Sequence, residues 1–130
     1  MTSTDGITWA VRTTPADYSW VSVCYGNGLF VAVDVYYRNS GNQVMTSNDG
    51  IYWTLRSTPT GYYWTSVCYG NGLFVAVGQY GGSMVSPDGI NWTFVETPVD
   101  NHWTSVYYGN GKFVAVSRTG TGNRVMTMDW

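Results

Sequence analysis

The chain has 130 residues, 17% of them aromatic and 11% charged, and a net charge of −2. That length is one ordinary domain. The slight acidity leaves no basic footprint for nucleic acid, the single lysine, Lys112, excludes a polybasic membrane patch, and no apolar run approaches the roughly 18 residues of a spanning helix.

The first element is the phrase Ser3-Thr4-Asp5-Gly6-Ile7-Thr8-Trp9. It returns as Ser47-Asn48-Asp49-Gly50-Ile51-Tyr52-Trp53 and as Ser86-Pro87-Asp88-Gly89-Ile90-Asn91-Trp92. Each copy reads Ser-x-Asp-Gly-Ile-x-Trp. A second phrase, Trp-x-Ser-Val-x-Tyr-Gly-Asn-Gly-x-Phe-Val-Ala-Val, follows each at a fixed distance, so the chain is a threefold internal repeat. Residues 7–12 predict a short outer strand, ended at Thr14-Pro15 because proline lacks the donor a ladder needs. Trp20–Tyr25 predicts the next strand. Gly26-Asn27-Gly28 predicts a hairpin turn, since Asn and Gly both tolerate positive φ. Leu29–Val33 is apolar at consecutive positions, the pattern of a strand covered on both faces. A variable loop, Asp34 to Asn42, leads to Gln43–Thr46, the second Asp-Gly turn, and the strand Ile51–Arg56.

The second unit runs Trp64–Tyr69, Leu73–Val77, Met84-Val85 and Asn91–Val95. The third runs Trp103–Tyr108, Lys112–Val116 and Arg124–Thr127. No helical periodicity occurs anywhere. The fold class is therefore all-β: a single three-repeat domain over residues 1–130, of antiparallel four-stranded units. An orphan outer strand at 7–12 precedes units at about 20–56, 64–95 and 103–127, and the third unit lacks its own outer strand.

Positions identical in all three copies answer a shared structural demand. Asp5, Asp49 and Asp88 accept bonds from turn amides, and the following glycine supplies positive φ. Trp9, Trp53 and Trp92 are apolar plugs. Three copies of one turn do not converge, so no metal site and no catalytic site is expected from them. Cys24 and Cys68 hold equivalent places in successive repeats, with Tyr107 in the third. Equivalent sites lie one repeat width apart, beyond the roughly 7 Å span of a disulfide, and both cysteines read as small buried apolar residues.

Two loop types differ between repeats, and in an up-and-down sheet both emerge at one end. One type carries Tyr18, Tyr62, Tyr63 and His102. The other carries Tyr36, Tyr37, Tyr80 and Arg118. Binding residues concentrate on loops held by a rigid scaffold, and Tyr, Asn, Ser and Gly suit adaptable recognition. These eight residues are the candidate ligand contacts. Aromatic faces stack on sugar C–H surfaces while Asn, Asp and Arg bond hydroxyls, which makes carbohydrate the candidate ligand.

The Ser-x-Asp-Gly-Ile-x-Trp copies resemble the Asp-box repeats of β-propellers, as in sialidases, sortilin-type receptors and photosystem II assembly factors. The family motif, Ser-x-Asp-x-Gly-x-Thr-Trp, is one residue longer between Asp and Gly. The resemblance implies blades of four strands with structural Asp boxes. It does not bring sialidase chemistry. That chemistry uses an arginine cluster, a tyrosine paired with a glutamate, and an aspartate acid, whereas here five arginines match no such motif and Glu96 is the one glutamate.

Propellers have about four to eight blades, so three blades form an open arc. The expected partner is the chain itself. Two copies would give six blades closed by exchanged outer strands, or the same ends would give a head-to-tail polymer. A β-trefoil is the alternative fold, since it also holds three repeats and closes within one chain. The expected function is a non-enzymatic, self-assembling module that binds glycans on its variable loops, with no cofactor, no nucleic acid and no membrane insertion. The alternatives are a structural subunit of a filament, virion or surface layer, and a sialidase-like glycoside hydrolase.

Overall fold

The structure is a computed structural model that describes residues 1–129; Trp130 lies outside the described residues. Among the described residues, eleven strands form three separate antiparallel sheets. The first sheet holds β1 (Trp20–Gly26), β2 (Leu29–Asp34), β3 (Val44–Ser47) and β4 (Thr54–Arg56), in that order. The second holds β5 (Trp64–Gly70), β6 (Leu73–Gly78), β7 (Gly82–Ser86) and β8 (Thr93–Glu96). The third holds only β9 (Trp103–Gly109), β10 (Lys112–Ser117) and β11 (Val125–Asp129).

Each sheet is an up-and-down meander because its turns are locally encoded. The β1–β2, β5–β6 and β9–β10 hairpins turn on Asn-Gly pairs with both φ values positive, 48° and 76° at Asn27-Gly28, which matches the right-handed twist of the strands. The β3–β4 turn is built by one serine and one aspartate. Ser47 Oγ accepts the Gly50 N–H at 2.8 Å and donates to Asp49 Oδ1 at 3.0 Å. That same Oδ1 accepts the N–H groups of Ile51 at 2.8 Å and Tyr52 at 3.0 Å. Trp53 Nε1 then donates to Gly50 O at 3.1 Å. The turn at Asp88 repeats these bonds.

The sheets stack face to face. Their first strands β1, β5 and β9 are neighbours, while the outer strands β4 and β8 stand apart, so the stack opens like a fan. One core lies between the first and second sheets, where Val31, Val33 and Val44 meet Trp64, Phe74, Met84 and Trp92. The other lies between the second and third, where Cys68, Val75 and Val77 meet Trp103, Val106 and Phe113. This is a propeller-like arc of three blade-shaped sheets. Among the described residues no strand pairs with another sheet. The β-trefoil alternative, which needs strands shared in one barrel, does not form.

Three expectations change. Residues 7–12 are not a strand: only a bridge between Thr2 and Ala10 forms, with both bonds at 2.8 Å. A lone two-stranded hairpin with no third strand has little to hold it, and Ile7, Trp9 and Val11 are exposed. The strand expected from Ile51 begins at Thr54, because the Asp49 carboxylate has taken the amides a ladder would use. The strand expected from Asn91 begins at Thr93 for the same reason, with Asp88 as acceptor.

The two cysteines are free, Cys68 buried and Cys24 half-buried. Burial pushes both thiols up to about 12, so they pack as apolar groups rather than react.

The tryptophans of the repeated turn should therefore differ in value. Trp92 is buried against Phe74 at 6.5 Å between ring centres, and Trp92→Ala is expected to lower stability by about 3–5 kcal/mol in urea unfolding. Trp9 is 52% exposed. In protein dilute enough to be single chains, Trp9→Ala should change stability by no more than about 0.5 kcal/mol.

Candidate functional site

The loops joining β2 to β3, β4 to β5, β6 to β7, β8 to β9 and β10 to β11 meet at one end of the fan. Four aromatic rings form a row across it. Tyr37 lies 6.0 Å from Tyr63, Tyr63 lies 5.6 Å from Tyr80, and Tyr80 lies 4.7 Å from His102, the last two contacts edge to face. Arg118 Nη2 stands 3.5 Å from His102 Nδ1 and extends the row to the third sheet. Tyr37 and Tyr80 are half exposed, and Tyr36 beside them is more so. Five of the eight candidate residues thus share one strip that crosses all three sheets.

The loops are braced by backbone bonds. Tyr63 O accepts the Gln79 N–H at 3.0 Å, and Asn101 O accepts the Gly81 N–H at 3.1 Å. His102 O accepts the Arg118 N–H at 3.2 Å, while the His102 N–H donates to Thr119 Oγ1 at 2.8 Å. Tyr80 has φ of +59°. Left-handed backbone is uncommon for a bulky residue, and here it turns the ring outward between Tyr63 and His102. Strain of this kind persists only where surrounding structure holds it, and it gathers at functional positions.

Two expected contacts serve the scaffold instead. Tyr62 packs on Trp64 at 5.0 Å and on Phe94 at 5.5 Å, and its hydroxyl donates to Tyr80 O at 2.5 Å. Its ring fills the space that a side chain at Gly82 would need, since a Cβ there would lie 2.0 Å from Tyr62 Cε1. Burial raises its phenol above the ordinary tyrosine value. Tyr18 lies under the Arg38 guanidinium, 4.1 Å from ring centre to Cζ. Arg38 Nε in turn donates at 2.8 Å to Asp34, which is fully buried and also accepts the Ser19 N–H at 2.9 Å. Tyr18 belongs to this brace, and its ring partner is Trp20 at 5.7 Å.

Gln43 is the residue that sequence reasoning passed over. It is fully buried. Its Nε2 donates to Tyr36 O and Tyr62 O, both at 2.6 Å, and its Oε1 accepts the Tyr62 N–H at 2.7 Å. It clamps the loop carrying Tyr36 and Tyr37 to the loop carrying Tyr62 and Tyr63. Its equivalents are Gly82 and Arg124, so the repeats themselves carry no signal for it; a polar residue leading an apolar strand is the one hint. Asn101 does similar work in the third sheet, donating from Nδ2 to Asn123 O at 2.9 Å.

Asp5, Asp49 and Asp88 sit in their turns at the opposite end. Among the described residues no three His, Cys, Asp or Glu side chains gather as a metal site. The Thr8 and Ile7 amides hold the Asp5 carboxyl down at about 2. Amides of Tyr52 and Ile51 lower Asp49, and those of Asn91 and Ile90 lower Asp88.

No family model and no curated protein matches this chain. Among solved structures, it aligns with the GH32 beta-fructofuranosidase BmSUC1 of Bombyx mori over 85% of its own length, with a TM-score of 0.49 and 14% identity. It spans 32% of that enzyme. It also aligns with the computationally designed Ika4 protein over 95% of its length and 99% of that chain, with a TM-score of 0.45 and 9% identity.

The depressed carboxylates give stability a pH dependence. A group whose folded value lies below its ordinary 3.8 contributes fully above 3.8 and loses that contribution as pH falls through the folded value. Melting temperature should hold from neutral pH to about 4 and then fall toward pH 2. Asp88→Asn should flatten part of that acid slope, as read by circular dichroism melts across the range.

Proposed function

We propose that this chain is a non-enzymatic binding module that assembles with itself and takes carbohydrate on its variable loop face. The observation that carries the binding reading is the row Tyr37–Tyr63–Tyr80–His102, with ring centres 4.7–6.0 Å apart and two half-exposed tyrosines. The half-exposed rings of Tyr37 and Tyr80 suit contact with the C–H surfaces of sugar units. Phenol hydroxyls, His102 and Arg118 supply donors for ring hydroxyls, and Arg118 adds a positive charge for an acidic sugar. A strip that crosses three sheets fits an extended oligosaccharide better than a single ring. Its tyrosines have few rotatable bonds and rest on braced backbone, so little ordering is needed on binding.

The self-assembly reading is supported by the two ends of the fan. The outer face of the first sheet exposes Val21, Val23 and Tyr25, and among the described residues the third sheet has no fourth strand beyond β11. Apolar surface and an open strand edge together favour association.

An array of neutral and acidic oligosaccharides, read with the assembled protein, tests the binding. Tyr80→Gly removes the central ring and also suits the positive φ at that position. It should weaken the best array hit by about tenfold in calorimetric titration, the factor equivalent to roughly 1.4 kcal/mol. Tyr52→Ala, an exposed ring at the opposite end, should leave binding unchanged. An array without hits, or equal losses in both variants, would remove the carbohydrate reading.

A further inference from the structure

The sheets of this chain join each other by one repeated lock. At the first joint, the Tyr69 ring packs against Gly26, where a Cβ would be 2.0 Å from Tyr69 Cγ. At the second, Tyr108 lies on Gly70 with the same 2.0 Å figure. A hydrogen bond accompanies each contact. The Val67 N–H donates to Ser22 Oγ at 3.1 Å, and the Val106 N–H donates to Ser66 Oγ at 3.1 Å. These amides lie on the inner strands, and the serine of the preceding sheet covers them. At the second joint Thr65 Oγ1 also donates to Trp103 O at 2.6 Å. The valines of the lock are sealed, with Val67 4% exposed and Val106 6%.

Each end of the fan presents one half of this lock. The first sheet offers the tyrosine half. Tyr25 is 57% exposed and Val23 60%, and Val23 pairs with Ala32 in the same register as Val67 with Ala76, so its N–H faces the open side. The third sheet offers the glycine half. Around Gly109 the nearest atom a Cβ would meet is Tyr107 Cε1, at 3.8 Å. Ser105 and Thr104 are exposed on the same strand. Gly26 and Gly70 must be glycine because a ring sits on each. Gly109 has no such reason within the chain.

The space for an incoming sheet is already shaped. A cleft of about 780 Å³ lies between the amino-terminal hairpin and the first sheet, walled by Trp9 and Thr2 on one side and Trp20, Val23 and Phe30 on the other. In the hairpin, Arg12 Nε donates to Thr2 Oγ1 at 3.0 Å, as Arg56 does to Thr46 at 2.9 Å. Thr127 holds the place of Thr46 in the third sheet, opposite Val114 as Thr46 is opposite Val31.

We propose that a second copy of this chain docks head to tail on the first sheet, its Gly109 receiving Tyr25 and its Ser105 Oγ accepting the Val23 N–H. Thr104 Oγ1 of that copy meets Trp20 O, as Thr65 meets Trp103. Its Thr127 comes to residues 10–12 in place of Thr2, which gives its third sheet a fourth strand. This rests on the self-assembly reading above and names the surfaces that perform it. The joint is heterologous, so every copy carries both halves. Two copies joined at both ends bring six sheets together, within the known range for a closed ring of about four to eight.

Sedimentation velocity on the full 130-residue chain tests this, with Gly109→Val, Val23→Arg and an equal mixture of the two. Gly109→Val fills the tyrosine seat, and within its own chain the added Cβ meets nothing closer than Tyr107 Cε1 at 3.8 Å, an ordinary contact. Val23→Arg places an unpaired charge at the centre of the joint. Wild type should sediment as two or more chains. Each variant alone should associate about a hundredfold more weakly, with melting curves that show it folded. The mixture should recover a species of two chains, because the intact head of one variant meets the intact tail of the other. A variant that had failed to fold could not be rescued this way. If wild type assembles and both variants assemble equally well, this joint is wrong while self-assembly stands. If wild type is a single chain at every accessible concentration, self-assembly falls and the joint with it.

Discussion

No sheet here can bury both of its faces alone, and the rest of the structure follows from that. The phrase Phe-Val-Ala-Val occurs in β2, β6 and β10 with nearly the same neighbours in sequence. In β6, which has a sheet on each side, every residue is buried. In β10, which has a sheet on one side, burial is interrupted. The text asks for cover on both faces, and within the chain the middle sheet receives it most fully. Each buried Val or Phe contributes about 1.5–3 kcal/mol relative to exposure, so the end sheets hold unused stabilisation that an added neighbour would release. The Tyr-on-Gly seat and the Ser-to-amide bond give that stacking a fixed spacing and register.

The loop face depends on the same stacking. A row of rings that crosses three sheets needs those sheets held together, and then loops braced against each other across the joints. Gln43 braces the first joint from inside, and Asn101 with Thr119 braces the third sheet's loops. Tyr62 and Tyr63 show how sharply position decides role. Tyr62 fills the gap above Gly82 and becomes core, whereas Tyr63 points to the strip. Adjacent residues in an extended segment face opposite sides, so one of the pair had to turn inward. Tyr18 is withdrawn by a buried carboxylate: Asp34 fixes Arg38, and the guanidinium covers the ring.

The surfaces proposed for assembly and for recognition are separate in this architecture. The locks run along the inner strands near the axis of the fan, while the strip lies on the loops at one end. A change at Gly109 or Val23 therefore leaves the ring row intact, and a change at Tyr80 leaves the joint intact.

What could be read from the chain alone was whatever is settled within a few residues. The Asp-Gly turn forms the same bonds at Ser3 as at Ser47 and Ser86, although the first copy stands in an exposed hairpin and the last in a packed sheet. Its donors and acceptor lie within three positions of each other, so no tertiary contact is needed to build it. The Asn-Gly hairpins and the meander order follow in the same local way. Only the folded structure decided which copies of one phrase are buried, which tyrosines meet, and why residues 7–12 stay short of a strand. Those outcomes depend on contacts between residues some forty positions apart, such as Val67 with Ser22 and Val106 with Ser66, and a repeated text cannot say which of its copies will have a neighbour.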